Sequence, residues 1–246
     1  MKKILAYPLS VLYYLYFGFL LCFFHVIQVL ALRVFGKAIH KKSVDILNLC
    51  LIGAFQILGV RYKVSVSDQL PLGKSYIFTS NHQSTYDIPP LIWYLRKYWA
   101  NFISKDSLGK GIPSISYNLR HGGNVLINRK NPTEAIAKIE AFGRRLIQEK
   151  RSAVIFPEGT RSRSAIPKKF HRSGLKALLV NMPKAEVVPI AIQHSWKLAQ
   201  HNYFPFPLGV LVRVEILDPI APSNLTPDEI IDKAEAIIGK RMAEMA

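Results

Sequence analysis

Three short clusters hold the side chains suited to chemistry. In Asn81-His82-Gln83-Ser84-Thr85-Tyr86-Asp87 an imidazole precedes a carboxylate by five positions. A turn that folds the two together lets the carboxylate accept from one ring nitrogen. That fixes the tautomer and leaves the other nitrogen as a proton acceptor. This is the His–Asp part of a hydrolytic triad without a serine of its own. Taken alone, the pair also fits a helix-capping Asp87 beside a polar loop His82. Metal ligation is a third use, although no third ligand is spaced nearby.

Phe156-Pro157-Glu158-Gly159-Thr160-Arg161-Ser162 is the second cluster. Gly159 lets backbone approach a ligand closely, and the planar fork of Arg161 matches phosphate oxygens. By itself it also reads as a turn carrying a solvated arginine. The third cluster, Gly122-Gly123-Asn124-Val125-Leu126-Ile127-Asn128-Arg129, places another arginine at a strand terminus.

These clusters need a scaffold, and the hydrophobic pattern supplies one. Tyr62–Ser67 alternates with the strand period, and Ser75–Ser80 is a short β-rich run that delivers His82. A helix is predicted from Asp87 to Tyr98. Strands follow at Asn124–Arg129, Ala153–Pro157, Val187–Ile192 and Val210–Leu217. Helices open at Asn131-Pro132-Thr133, span about Ser173–Val180, and close the chain from Pro227. Alternating elements of this size predict an α/β domain with a largely buried sheet, whose sites lie beyond the carboxyl ends of strands. Phe204-Pro205-Phe206-Pro207 marks a loop with no role legible in the sequence.

Of 246 residues, 50% are hydrophobic and 20% charged, which argues against extensive disorder. The net charge of +17 calls for an anionic partner: nucleic acid, anionic lipid, an acidic carrier protein or a phosphorylated small molecule. No zinc-finger spacing, RNA-recognition motif or basic amphipathic helix supports nucleic acid. Cys22 and Cys50 lie in apolar stretches without ligand spacing and are expected to be small buried hydrophobes. The basic group Arg163, Lys168, Lys169, His171 and Arg172 suits anionic lipid, an acidic carrier protein or plain solvation.

Between Lys3 and Arg33 the chain carries no charge and is rich in Leu, Phe and Tyr. About 20 apolar residues cross a bilayer core as a helix. A secretory signal has a shorter apolar core, of roughly 7–15 residues. A second apolar run, Ile46–Val60, is short for a span and suits a buried or interfacial helix. Basic residues flank the first run at both ends, so charge asymmetry does not orient it. One span, a hairpin dipping into one leaflet, and an ordinary core helix all remain open. In the first two the basic remainder stays on the cytoplasmic side. Residues 1–60 are thus expected to form a membrane-associated segment, and 61–246 the α/β domain.

Asn81-His82 through Asp87 resembles the histidine-four-residues-aspartate motif of the glycerolipid acyltransferases, the family of 1-acyl-sn-glycerol-3-phosphate acyltransferases. Phe156–Ser162 is similar to their FPEGTRS motif and Gly123–Arg129 to their glycine-to-arginine strand. Val188-Pro189-Ile190-Ala191-Ile192 is similar to their final proline-containing strand. The four occur in the family's order over about residues 60–195. The resemblance implies a mostly buried mixed sheet flanked by helices behind a membrane-docking helical segment. It implies His82 as general base held by Asp87. Arg129 and Arg161, with Lys105 of Ser104-Lys105-Asp106, would bind the acceptor's phosphate, and Glu158, Gly159 and Thr160 would complete the substrate loop. Glu158 would order that loop rather than move protons, and Gly159 or its neighbour would donate an N–H to the developing oxyanion. Attack would be direct, without acyl-enzyme, metal or cofactor, which fits the absence of a Gly-x-Ser-x-Gly elbow. The donor would be acyl-CoA or acyl carrier protein, the acceptor a lysophospholipid, and the location the cytoplasmic face of the inner (plasma) membrane. The family often has an acidic residue before the strand-motif arginine; here it is Asn128, so Arg129 must be held another way. Transfer to a different lysophospholipid, or a membrane-bound lipid esterase, are the alternatives.

Overall fold

A computed structural model describes residues 2–245. The chain opens with α1 (Lys2–Leu30), extended by a π turn over Ala31–Phe35, and reverses into α2 (Lys37–Ala54). Gly36 makes the reversal with φ +82°, a left-handed angle that a side chain would strain. The apolar front end is therefore a helical hairpin. Its second arm starts well before the apolar run at Ile46, because α2 turns the basic residues Lys37, Lys41 and Lys42 into its own first turns.

Then come β1 (Arg61–Val66), β2 (Tyr76–Ser80), α3 (Ile88–Tyr94), β3 (Ala100–Lys105), α4 (Ile115–His121), β4 (Val125–Ile127), α5 (Pro132–Gln148), β5 (Ser152–Ile155), α6 (Arg172–Asn181), β6 (Glu186–Gln193), β7 (Leu211–Ile216) and α7 (Pro227–Glu244). The seven strands form one mixed sheet in the order β1-β7-β6-β2-β5-β3-β4. Among the described strands, only β6 and β7 pair antiparallel. Strands β6, β2, β5, β3 and β4 consequently run one way and end at a common edge.

Pro189 lies inside β6 without cost to the ladder. Its nitrogen faces the β7 side, where regular pairing starts only at Ile190↔Ile216 and Val187 instead bridges Ile220. Helix α5 begins as the sequence predicts: Asn131 accepts from the Glu134 N–H at 3.2 Å, and Pro132 occupies the first turn.

Each face of the sheet has its own core. Helices α5, α6 and α7 cover one, around Phe142, Leu146, Leu175, Leu178 and Ile231. The hairpin covers the other: Tyr13, Leu20, Phe24, Leu47, Leu51 and Phe55 pack with Phe78, Leu91, Ile190 and Val212. The loop at Phe204–Pro207 gains a role here. Phe206 is wholly buried against Tyr13 and Phe55, and its N–H donates to the Ser10 hydroxyl of α1 at 2.9 Å.

Two expectations need correction. Cys22 is exposed rather than buried, because it lies on the outward face of α1 with Phe19, Phe23 and Val26; Cys50 is only half-buried. The helix expected over Asp87–Tyr98 is broken into a 3-10 turn, α3 and a second 3-10 turn, with Trp99 left-handed at its end. That break lets the chain enter β3, which the sequence pattern did not reveal; α4 was missed likewise.

Candidate active site

Buried strand β2 ends at Ser80, and Asn81 locks the start of the next loop to β6. Its amide donates to the Ile192 carbonyl and accepts the Ile192 N–H, both at 2.8 Å. Ser84 then caps the 3-10 turn Thr85–Asp87 in a capping box that Asp87 closes. The box folds Asp87 back onto its own loop. Its Oδ2 accepts from His82 Nδ1 at 2.8 Å, from the Gln83 N–H at 2.7 Å and from the Ser84 N–H at 3.0 Å. Oδ1 accepts from the Ser195 hydroxyl and, at 3.5 Å, from Ser84 Oγ. Asp87 is wholly buried. An ionised carboxylate only accepts hydrogen bonds, so His82 carries its proton on Nδ1 and keeps the Nε2 lone pair for a substrate.

The FPEGTRS segment holds His82 from both sides. The His82 N–H donates to Glu158 Oε1 at 3.0 Å, and its carbonyl accepts the Ser162 N–H at 2.8 Å. The Phe156 ring stacks on the imidazole, centroids 4.2 Å apart. Glu158 is buried, and its Oε2 has no partner among the described residues. Burial, reinforced by the Asp87 charge, pushes its carboxyl up to about 7 against the opposing backbone N–H donors of His82 and Lys168. Gly159 adopts φ +68°, and a Cβ there would lie 3.0 Å from the His171 ring. Its N–H is committed to the Phe156 carbonyl at 3.1 Å. Gly159 itself is therefore not a free oxyanion donor; the turn that shapes the loop consumes that amide.

Both arginines converge on these loops. Arg161 Nη1 donates to Thr85 Oγ1 at 2.6 Å and to the Tyr203 hydroxyl at 2.7 Å. The Tyr203 carbonyl in turn accepts from Tyr14 of α1 at 2.8 Å, tying the hairpin to the arginine. Arg129, two residues beyond β4, donates to the Gly159 carbonyl. This replaces the acidic neighbour that Asn128 does not provide; Asn128 instead accepts the Lys130 N–H in its own turn. Burial and the adjacent Arg161 charge hold the Arg129 guanidinium below its ordinary value. The two guanidinium groups are therefore near enough to feel each other's charge. Lys105 ends β3 level with Ile127 of β4, exposed on the same sheet edge, and Thr160 is exposed at the loop tip. From the basic group after the motif, Arg172 is not available to a partner: it bridges Asp228 at 3.1 Å and Asp232 at 2.6 Å, stapling α6 to α7.

Sequence reasoning missed Gln83, Ser84, Phe156, Ser195 and Tyr203. Ser84 had a local signal, the Ser-x-x-Asp capping spacing. Ser195 had none, since it arrives from beyond β6.

The α/β sheet thus carries a buried His–Asp pair and two arginines on the loops at one strand edge. Residues 61–193, more than half of the chain, match the family described as Acyltransferase. The chain belongs to this acyltransferase family. It is 31% identical over 188 residues to the 1-acyl-sn-glycerol-3-phosphate acyltransferase of Saccharomyces cerevisiae, covering 74% of this chain and 58% of that one. It is 24% identical over 198 residues to the alpha enzyme of that name from Mus musculus, covering 80% and 68%. The crystal structure of the 1-acyl-sn-glycerophosphate (LPA) acyltransferase, PlsC, from Thermotoga maritima superposes with a TM-score of 0.82 at 20% identity. That match covers 100% of this chain and 98% of the other.

Proposed function

We propose that this acyltransferase moves a fatty acyl group from a thioester to the free hydroxyl of a lysophospholipid, and that the acceptor is 1-acyl-glycerol-3-phosphate, giving phosphatidate. The names of the relatives support the acceptor, as do the two arginines beside His82. Nε2 of His82 takes the hydroxyl proton as the oxygen attacks the thioester carbonyl. The imidazolium is stabilised by the Asp87 carboxylate at Nδ1. Collapse of the tetrahedral intermediate breaks the carbon–sulfur bond, and His82 returns the proton to the departing thiolate. Arg129, Arg161 and Lys105 hold the acceptor's phosphate. With the Gly159 amide engaged, the neighbouring Thr160 N–H would serve the oxyanion. Acyl-CoA or acyl carrier protein supplies the acyl group, and the step needs no metal or prosthetic group.

The substrate is lipid, and the apolar stretch Ile4–Phe35 is long and apolar enough to cross a membrane. Leu15, Phe19, Phe23 and Val26 face outward from α1. We place the hairpin in the cytoplasmic leaflet of the plasma membrane, where burying that stripe compensates its exposure.

The carrying observation is the His82–Asp87 contact with both guanidinium groups on the same two loops. Purified protein given a panel of lysolipids with each thioester donor should release thiol and form phosphatidate from lysophosphatidate. His82→Ala should lower turnover by about 10²–10⁴-fold. Near-normal turnover in that variant would remove His82 from the chemistry. Free fatty acid without lysolipid consumption would indicate an esterase.

A further inference from the structure

The opposite edge of the sheet holds a second cationic recess that the proposed reaction does not use. Here β3 and β5 begin, α5 ends, and α2 passes with its basic first turns. Between them lies a cavity of about 70 Å3 lined by Lys37, His40, Lys41, Arg96, Arg145 and Arg151. A strand the length of β3 separates it from the His82 edge by roughly 15–20 Å.

Charge and unsatisfied polar groups both point to a ligand. Five cationic side chains line the space against two carboxylates, Asp45 and Glu149. Those two are taken: Asp45 by Lys41 at 2.7 Å and Glu149 by Arg151 at 3.1 Å. Among the described residues Lys37, Arg96 and Arg145 have no carboxylate partner. Trp99 lies between Lys41 and Arg151, whose charged groups sit 5.6 and 4.8 Å from its ring, so the cations are held together by packing. Burial and the charges of Arg96 and Arg151 lower the Lys41 ammonium below its ordinary value despite Asp45. His40 is 2% exposed, yet its Nε2 has no partner; neither does Arg145 Nε, nor Asn101 Oδ1 on the same wall. Buried polar groups are ordinarily paired, and two nitrogens with one acceptor suit an oxyanion that carries a hydroxyl. The space is several times that of a single water, for which about 10–15 Å3 suffices.

We infer that this recess binds a phosphate group, at a site separate from the acceptor pocket. Two sources share that chemistry: the headgroup of an anionic membrane lipid, and free phosphate. The surroundings favour the headgroup. Lys37 follows the hairpin bend directly, and Val34, Phe35 and Ile39 stand exposed around that bend, where acyl chains would lie. A lipid held there would anchor the hairpin's far end while its near end serves His82.

Binding tests this without catalysis. Full-length protein in phosphatidylcholine nanodiscs is titrated calorimetrically with inorganic phosphate as wild type, K37Q/R96Q and K184Q/K233Q. The last removes equal charge from the α6–β6 turn and from α7. Loss of two charge-assisted contacts predicts at least about tenfold weaker phosphate binding in K37Q/R96Q, and little change in the control. R96K should retain most of the affinity, and matching melting temperatures would exclude misfolding. In parallel, the proteins are floated with phosphatidylcholine vesicles with and without phosphatidylglycerol. Selective loss of anionic-vesicle binding by K37Q/R96Q identifies the headgroup. Selective loss of phosphate binding alone identifies free phosphate. If K37Q/R96Q and K184Q/K233Q behave alike in both assays, there is no such site.

Discussion

Two loops leave the same sheet edge, and each buries a carboxylate beside His82, but the two acids are treated differently. The β2–α3 loop surrounds Asp87 with donors from His82, Gln83 and Ser84, and Ser195 adds another from the turn after β6. The β5–α6 loop gives Glu158 one oxygen's worth of partners and leaves the other bare. Desolvation alone raises a buried acid; donors to the charged form oppose it. Asp87 is thus held on both oxygens and orients an imidazole. Glu158 is built to brace the backbone, and it tolerates a proton near neutrality. Burial of an acid next to a histidine does not by itself give that acid the histidine's role.

Substitutions sharpen this contrast, and the largest effect is expected at Asp87. Asp87→Asn keeps the shape, removes the charge that stabilises an imidazolium and turns an amide donor toward Nδ1. Turnover should fall by about 10²–10⁴-fold, measured as thiol release, and a loss under tenfold would detach Asp87 from the mechanism. Arg161→Ala should act mainly on acceptor affinity. Losing a charge-assisted phosphate contact of about 1.5–3 kcal/mol predicts a KM raised roughly ten- to hundredfold, while the acyl-donor KM stays in place. Ser195→Ala removes one donor to Oδ1 and leaves the others. Its kcat should drop about tenfold with both KM values unchanged; an unchanged kcat would make Ser195 a packing residue only.

Glu158→Gln should matter least to turnover, because a carboxamide oxygen still accepts the His82 N–H. Its signature is thermodynamic. The folded-state value of about 7 lies above the ordinary 4.5, so the folded form binds more protons than the unfolded one between these values. Wild-type stability is therefore lost progressively as pH rises from about 4.5 through 7. Denaturation midpoints across that range should slope downward in wild type, and E158Q should lack that contribution. Identical slopes would mean Glu158 ionises normally.

How far the sequence reveals this arrangement depends on where each contact comes from. His82 and Asp87 lie five positions apart, so local spacing exposes that pair, while Ser84, whose capping box with Asp87 folds them together, went unread. Buried runs such as Val187–Ile192 and the Asn131-Pro132 cap locate β6 and α5 nearly to the residue. Strand β3 hid because Ala100–Lys105 follows a helix broken at Trp99, where periodicity changes within a few residues. Ser195 and Tyr203 hid for another reason: both belong to the turn after β6 and meet the site only through sheet order. Which amide of the Gly159 turn is free is not legible in the sequence, because the commitment of the Gly159 N–H to Phe156 is a matter of turn geometry, which the residue type permits but does not dictate.

The hairpin has one more implication. Tyr13 and Phe55 are fully buried against Tyr86 and Phe206, so the first helices are part of the domain's core rather than a mere tether. Trimming them to obtain a water-soluble fragment would strip one side of the sheet bare and release the tyrosine that steadies Arg161. Removing these helices should therefore yield an aggregate, and greater solubility must be sought by repainting the outer stripe of α1.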